Sequence, residues 1–192
     1  MTQWSADYPG KIGTYFVVLL VATMAASGVN AANEDEVRTA FLFQLAQYVH
    51  WPADAARPQS SPLKFCVAGK DRLTSTLENT VRGKSIQGRA ILIRRMEADS
   101  DPAGCDLVFL TYQSEKQIKG WLKEWSYPPV LLVGETERFA EIGGMVNLSI
   151  EGGRVSFEIN VLASSRANIE FRSQLLRFAR IVKTPGEKGT KP

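Results

Sequence analysis

Few side chains in this chain have the types and spacing to do chemistry. Cys66 and Cys105 are its two cysteines and His50 is its one histidine. A hydrolytic triad would have to be built on His50, which sits beside Trp51 and Pro52 at the expected end of a helix. A partly buried, helix-terminal imidazole accounts for it far better, because no partner side chains are spaced to serve it. A metal centre would need carboxylates with the cysteines, and no spaced cluster supplies them. Arg82-Gly83-Lys84-Ser85 carries the end of a phosphate loop, but position 78 is Glu where that motif needs glycine. Val67-Ala68-Gly69 leaves a strand as dinucleotide folds do, without the glycines that should follow. The one conceivable acid/base pair is Glu158 with Asp106. Asn147-Leu148-Ser149 fits a glycosylation sequon but falls inside an expected strand. The expectation is a binding protein with no catalytic residues, no metal and no cofactor.

What must position any of these groups is most sharply written between Gly143 and Asn160. Gly152-Gly153 suits a two-residue primed turn, whose central residues need positive φ. That turn sets Glu151 against Arg154, Ile150 against Val155, Ser149 against Ser156, Leu148 against Phe157, Asn147 against Glu158 and Val146 against Ile159. Apolar meets apolar on one face and polar meets polar on the other, so a one-residue slip would mismatch every pair. The polar face, Asn147, Ser149, Ser156 and Glu158, is a candidate contact surface. Trp51 is either a core plug or an exposed anchor for a partner.

Upstream, the chain alternates short apolar runs with amphipathic segments. Asn33 can cap a helix rich in early carboxylates, with an apolar stripe at Val37, Phe41, Leu45 and Tyr48 and an end forced near Trp51 by Pro52. Strands are expected at 63–69, 90–96, 106–112 and 130–133, and helices at 72–81 and from the Ser114 cap to Trp125. Residues 137–142 allow a short helix at most. A last helix is expected from about Arg172 to Lys183, with Phe171, Leu175, Phe178 and Val182 as its stripe. The result is an α/β fold: a single three-layer domain, a mostly parallel sheet with a C-terminal antiparallel hairpin, flanked by helices.

The start of the chain reads differently. Lys11 precedes an apolar run from Ile12 to Ala26, and Val29-Asn30-Ala31 offers small residues to a signal peptidase. Residues 1–31 are therefore expected to be a signal peptide cut after Ala31. The run falls short of the roughly 20 residues that span a bilayer, so an uncleaved anchor is the lesser alternative. The domain then spans 32–183, and 184–192 is expected to be a disordered tail. The net charge of +3 says little about partners, and nucleic acid is not expected outside the cell. In an oxidising compartment two cysteines suggest one disulfide; the alternative is two buried free thiols.

An ordered set of residues carries a resemblance. It comprises Tyr48-Val49-His50-Trp51-Pro52, Phe65-Cys66-Val67-Ala68-Gly69, Gly83-Lys84 with Gly88-Arg89, and Cys105-Asp106. It continues with Gly143-Gly144-Met145, Asn147-Leu148, Val155 to Asn160, and Ser173 to Ala179. In this order the chain resembles the YfiR family (the DUF4154 domain) over about residues 34–182. The resemblance implies a periplasmic α/β repressor that holds an inner-membrane diguanylate cyclase, or another membrane sensor, inactive. It also implies release by an OmpA-like outer-membrane lipoprotein, and a homodimer. It pairs Cys66 with Cys105 as one of the family's disulfides. Where the best-known members carry a second pair, Ala140 and Asn147 stand here. A periplasmic small-solute binding module is the alternative, with its pocket at the carboxyl ends of the parallel strands.

Overall fold

The computed structural model describes residues 26–51, 58, 60–68, 71–97, 99–111 and 113–186, with side chains from Glu34 onward except Asp71. The expected apolar run before Ala26 and the last six tail residues lie outside them; Ala31 falls within the first described helix. The chain divides into two units between Glu34 and Asp35, and the sheet with its covering helices belongs to the unit that begins at Asp35.

Among the described residues there are five helices and ten strands. The helices are α1 (Ala26–Gln47), α2 (Asp71–Val81), α3 (Glu115–Trp125), α4 (Val161–Arg166) and α5 (Ser173–Leu176). The strands are β1 (Val49–His50), β2 (Leu63–Ala68), β3 (Ser85–Ile86), β4 (Arg89–Met96), β5 (Leu107–Leu110), β6 (Leu131–Gly134), β7 (Val146–Glu151), β8 (Arg154–Asn160), β9 (Glu170–Phe171) and β10 (Arg180–Val182). Eight strands form one sheet in the order β10-β8-β7-β6-β5-β2-β4-β3. The central β4-β2-β5-β6-β7 run is parallel, β8 returns antiparallel to β7, and β10 is parallel to β8. β1 and β9 form a small antiparallel ribbon.

The composition of the central strands explains their place. β2, β5 and β6 are almost wholly buried runs of Leu, Val, Phe, Cys and Ala, as strands covered on both faces must be. The chain steps from β2 to β4 in one direction and from β5 to β6 in the other. Right-handed crossovers therefore put α2 and α3 on opposite faces, which makes three layers. α1 lies with α2: Thr39 Oγ1 is 2.9 Å from Thr80 Oγ1, and the Phe41 ring is 5.1 Å from that of Phe157 on β8. The α3 boundary follows its sequence, with Ser114 and Gln117 forming a capping box. On its exposed face Lys119 hydrogen-bonds Glu115 four residues earlier and lowers that carboxyl's pKa.

The hairpin forms in the expected register from Val146↔Ile159 to Glu151↔Arg154. Gly152 and Gly153 both have positive φ, 56° and 76°. Two other expectations are corrected. The first helix is not capped at Asn33; it runs through from Ala26, and it ends at Gln47, before Pro52 can act. Tyr48 turns out of it with its N–H on the Leu45 carbonyl, and Val49-His50 pairs with Glu170-Phe171 instead. The buried arc is Thr39, Leu42, Leu45 and Ala46, while Tyr48 is exposed, because this helix is wedged between α2 and the hairpin.

The second correction is the C-terminal helix. Only Ser173–Leu176 is helical; the chain then turns and Arg180-Ile181-Val182 adds a strand to β8. A helix of four residues gains nothing from propagation. The open edge of β8 offers main-chain hydrogen bonds that the β-branched Ile181-Val182 pair readily takes. Phe178, expected on the helix's buried stripe, is 82% exposed.

Candidate functional site

The polar side of the hairpin divides into an inner and an outer half. At the inner end Asn147 is buried, and its side-chain oxygen accepts the Phe139 N–H at 3.1 Å. Its amide nitrogen donates to the Gly134 carbonyl at 3.2 Å. One side chain thus ties the end of β6 to the non-helical β6–β7 connection, sharing the Phe139 N–H with the Thr136 carbonyl. Asn147→Ala removes both of these buried hydrogen bonds while the Phe139 N–H keeps its bond to the Thr136 carbonyl at 3.0 Å, so the expected cost is about 1–2 kcal/mol. Urea unfolding should read this as a lower midpoint. Asn147 is therefore committed to the interior, whereas Ser149 is half-buried and Ser156 is exposed.

Glu158 lies opposite Asn147 on β8, beside Arg180 on β10. The Arg180 guanidinium donates to Glu158 Oε1 through Nε at 2.9 Å and through Nη2. Arg180 Nη2 also lies 3.6 Å from Glu141, whose other oxygen takes the Arg138 Nε–H at 2.8 Å. Glu158 holds the Arg180 pKa above its ordinary value, and Glu141 does the same for Arg138. Arg138, Glu141, Arg180 and Glu158 thus form a charged ladder across the connection, β8 and β10. Both carboxylates are engaged by guanidinium groups in charge-assisted hydrogen bonds, which makes the ladder an ion-pair network and not an acid/base pair. Sequence reasoning missed Arg180 and Glu141, since the helix expected there would not have set Arg180 beside Glu158. The signal for the strand was the adjacent Ile181-Val182 pair.

The remaining groups do not converge on this face. Asp106, just before β5, accepts the Lys64 N–H at 2.8 Å, with Arg89 3.9 Å from its other oxygen. Three strand spacings separate β5 from β8, about 14 Å, so Asp106 and Glu158 cannot act on one substrate atom. His50 is exposed on β1, paired in register with Glu170. Trp51 is half-buried; its indole N–H donates to the Ala46 carbonyl at 3.2 Å and its ring lies 6.3 Å from Phe65. It closes the core edge, with one side left open to contact. Lys84, from the phosphate-loop fragment, stands over the Phe43 ring at 4.8 Å. Among the described residues no group of three His, Cys, Asp or Glu is placed to hold a metal ion.

The strand order reverses between β2 and β5, the place where open α/β sheets bind ligands. In this chain it is crossed by the protein's own polar contacts. Arg38 of α1 pairs with Glu135 after β6 and with Asp35, and Asp35 also takes Arg72. Thr136 Oγ1 accepts the Gln113 N–H at 2.9 Å and donates to the Gln113 carbonyl at 2.8 Å.

Cys66 in β2 and Cys105 ahead of β5 are joined as a disulfide, with Cα atoms 6.0 Å apart and both residues buried. The bond ties the loop after β4 to the sheet centre. No described helix is long and apolar enough to cross a membrane.

Among solved structures, a conserved domain protein from Vibrio cholerae is similar, with a TM-score of 0.47 and 11% identity. The match covers 78% of this chain and spans 60% of that one. A family model, DUF4154, described as YfiR/HmsC-like, matches residues 35–180, from within α1 to the first residue of β10. With that match covering most of the chain, and with the doubly wound sheet, the Cys66–Cys105 bridge and the hairpin all inside it, the protein belongs to the YfiR/HmsC-like DUF4154 family.

Proposed function

We propose that this chain is a periplasmic, non-enzymatic regulator in cyclic-di-GMP signalling that binds the periplasmic part of an inner-membrane diguanylate cyclase and represses it. The observation that carries this reading is the family match over residues 35–180, which takes in nearly the whole folded unit. Export is supported by the signal-like segment that ends at Ala31 and by the disulfide, a bond that persists in oxidising compartments. Contact with the cyclase falls on the outer half of the hairpin, Ser149, Ser156 and the Glu158–Arg180 pair, with Trp51 as a second anchor. The same proposal includes a homodimer and release by an OmpA-like outer-membrane lipoprotein.

Deleting the gene should raise cellular cyclic-di-GMP several-fold, and restoring the wild-type chain should return it to its starting level. An unchanged level sinks the cyclase reading. The reversal of strand order between β2 and β5 favours a second reading, a small-solute module. A thermal-shift screen with amino acids and nucleotides that gave no stabilisation would remove it.

A further inference from the structure

We propose that the segment from Arg172 to Lys183 is a docking surface for an anionic lipid bilayer. Phe178 is 82% exposed and Ile181 48% exposed, in a chain whose other phenylalanines among the described residues are at least half-buried. Phe178 is not loose. Its N–H donates to the Leu175 carbonyl at 3.0 Å, and buried Leu175 and Val182 pin the segment on either side. The fold therefore holds the backbone beneath this exposed ring in place. In the same segment Arg172, Arg177, Arg180 and Lys183 are all exposed, and no Asp or Glu occurs from Phe171 to Gly186.

Arg180 is already matched by Glu158 and Glu141, so Arg172, Arg177 and Lys183 supply the attraction. Lys183 follows directly on the end of β10. Cations around projecting Phe and Ile side chains are the pattern of surfaces that settle into an anionic headgroup region. A bilayer accepts a lone projecting ring anywhere, whereas a protein partner must supply a matching pocket. Strand addition is disfavoured too: β10 has three residues and carries an arginine, features that blunt an edge. The surface does not depend on the cyclase reading.

The test uses the protein recovered from an exporting host, sedimented with vesicles of phosphatidylglycerol and phosphatidylcholine in equal parts, or of phosphatidylcholine alone. Binding is expected to the anionic vesicles only, and to vanish near 0.5 M salt, about where screening shortens the charge range to a few ångströms. Phe178→Ser should weaken it about tenfold. Arg177→Glu with Lys183→Glu should weaken it more than tenfold. Because these side chains are exposed, the variants should keep the wild-type urea midpoint. Equal binding by wild type and variants, or no binding to anionic vesicles, overturns the proposal. So does a wild-type dimer in sedimentation that becomes monomeric in Phe178→Ser, which would assign the surface to self-association. Vesicle binding would stand even if cyclic-di-GMP levels ignored the gene.

Discussion

Replacing both cysteines by alanine is expected to lower the unfolding free energy by about 4 kcal/mol. Cys66 and Cys105 are 39 residues apart, and closing a loop of that length removes conformational entropy from the unfolded chain. That entropy gives nearly the whole loss in the chain-entropy model. Packing adds little to it. Cys66 is fully buried in β2 and Cys105 nearly so, and alanines there give up little volume and introduce no polar atom. Reduction of the wild type, by contrast, leaves two thiols in contact and should cost slightly less than the double variant. The measurement is a pair of urea titrations, with and without reductant, set beside the Cys66→Ala/Cys105→Ala chain. Free-thiol labelling of the denatured, unreduced protein should find no thiol. Two labelled thiols would refute the bond, and an unchanged midpoint on reduction would refute its contribution. Since native proteins are typically stable by about 5–15 kcal/mol, the loss is a large fraction of the total.

Gly144→Ala is expected to be nearly as damaging, by about 3 kcal/mol, for a reason that concerns one aromatic ring. Phe139, in the connection between β6 and β7, is fully buried and lies between Gly134 and Gly144. A Cβ on Gly134 would sit 2.7 Å from that ring, and one on Gly144 would overlap it still more closely. Neither glycine has positive φ, so the requirement is space and not backbone freedom. The ring is held in place because the Phe139 N–H is shared by the Thr136 carbonyl and Asn147, and its carbonyl accepts the Gly144 N–H at 2.9 Å. Relief must come from shrinking the ring. Phe139→Leu alone should cost about 1–2 kcal/mol through lost packing. Combined with Gly144→Ala it should cost clearly less than the two single changes together, with a coupling of about 1–2 kcal/mol. Additive losses in a urea-based double-mutant cycle would show that the ring and the glycine do not share this space.

The same connection underlies the proposed contact face. Gly134, Phe139 and Asn147 fix the path from β6 into β7, and Glu141 in that path meets Arg180 from β10. The face offered to the partner therefore rests on a packed base, and variants there need a folding control. Ser156→Arg, at an exposed position on the outer half of β8, keeps that base intact and is the surface change to combine with the cyclic-di-GMP measurement.

The hairpin was legible down to its register because the information is local: two glycines at the turn and a period of two on either side decide it. The buried parallel strands and α3 were legible for the same reason, through continuous apolar runs and a capping box. The pairing of Cys66 with Cys105 was suggested by two cysteines in a chain expected to be exported and implied by the family resemblance, and the doubly wound order brings β2 and β5 side by side. Two features were decided only by tertiary structure. Asn147 reads as a surface residue by alternation, yet the irregular β6–β7 connection draws it inward to satisfy main-chain groups that no sequence period announces. The residues from Arg172 onward have helical periodicity, yet the unpaired edge of β8, formed by distant residues, offered hydrogen bonds that a four-residue helix could not match. That choice set Arg180 against Glu158 and left Phe178 in water. By itself the sequence determined the central strands, the hairpin and which face of the hairpin is apolar, because neighbours along the chain settle those matters. The contact surface depended on which strand lies beside which, and only the assembled sheet could decide that.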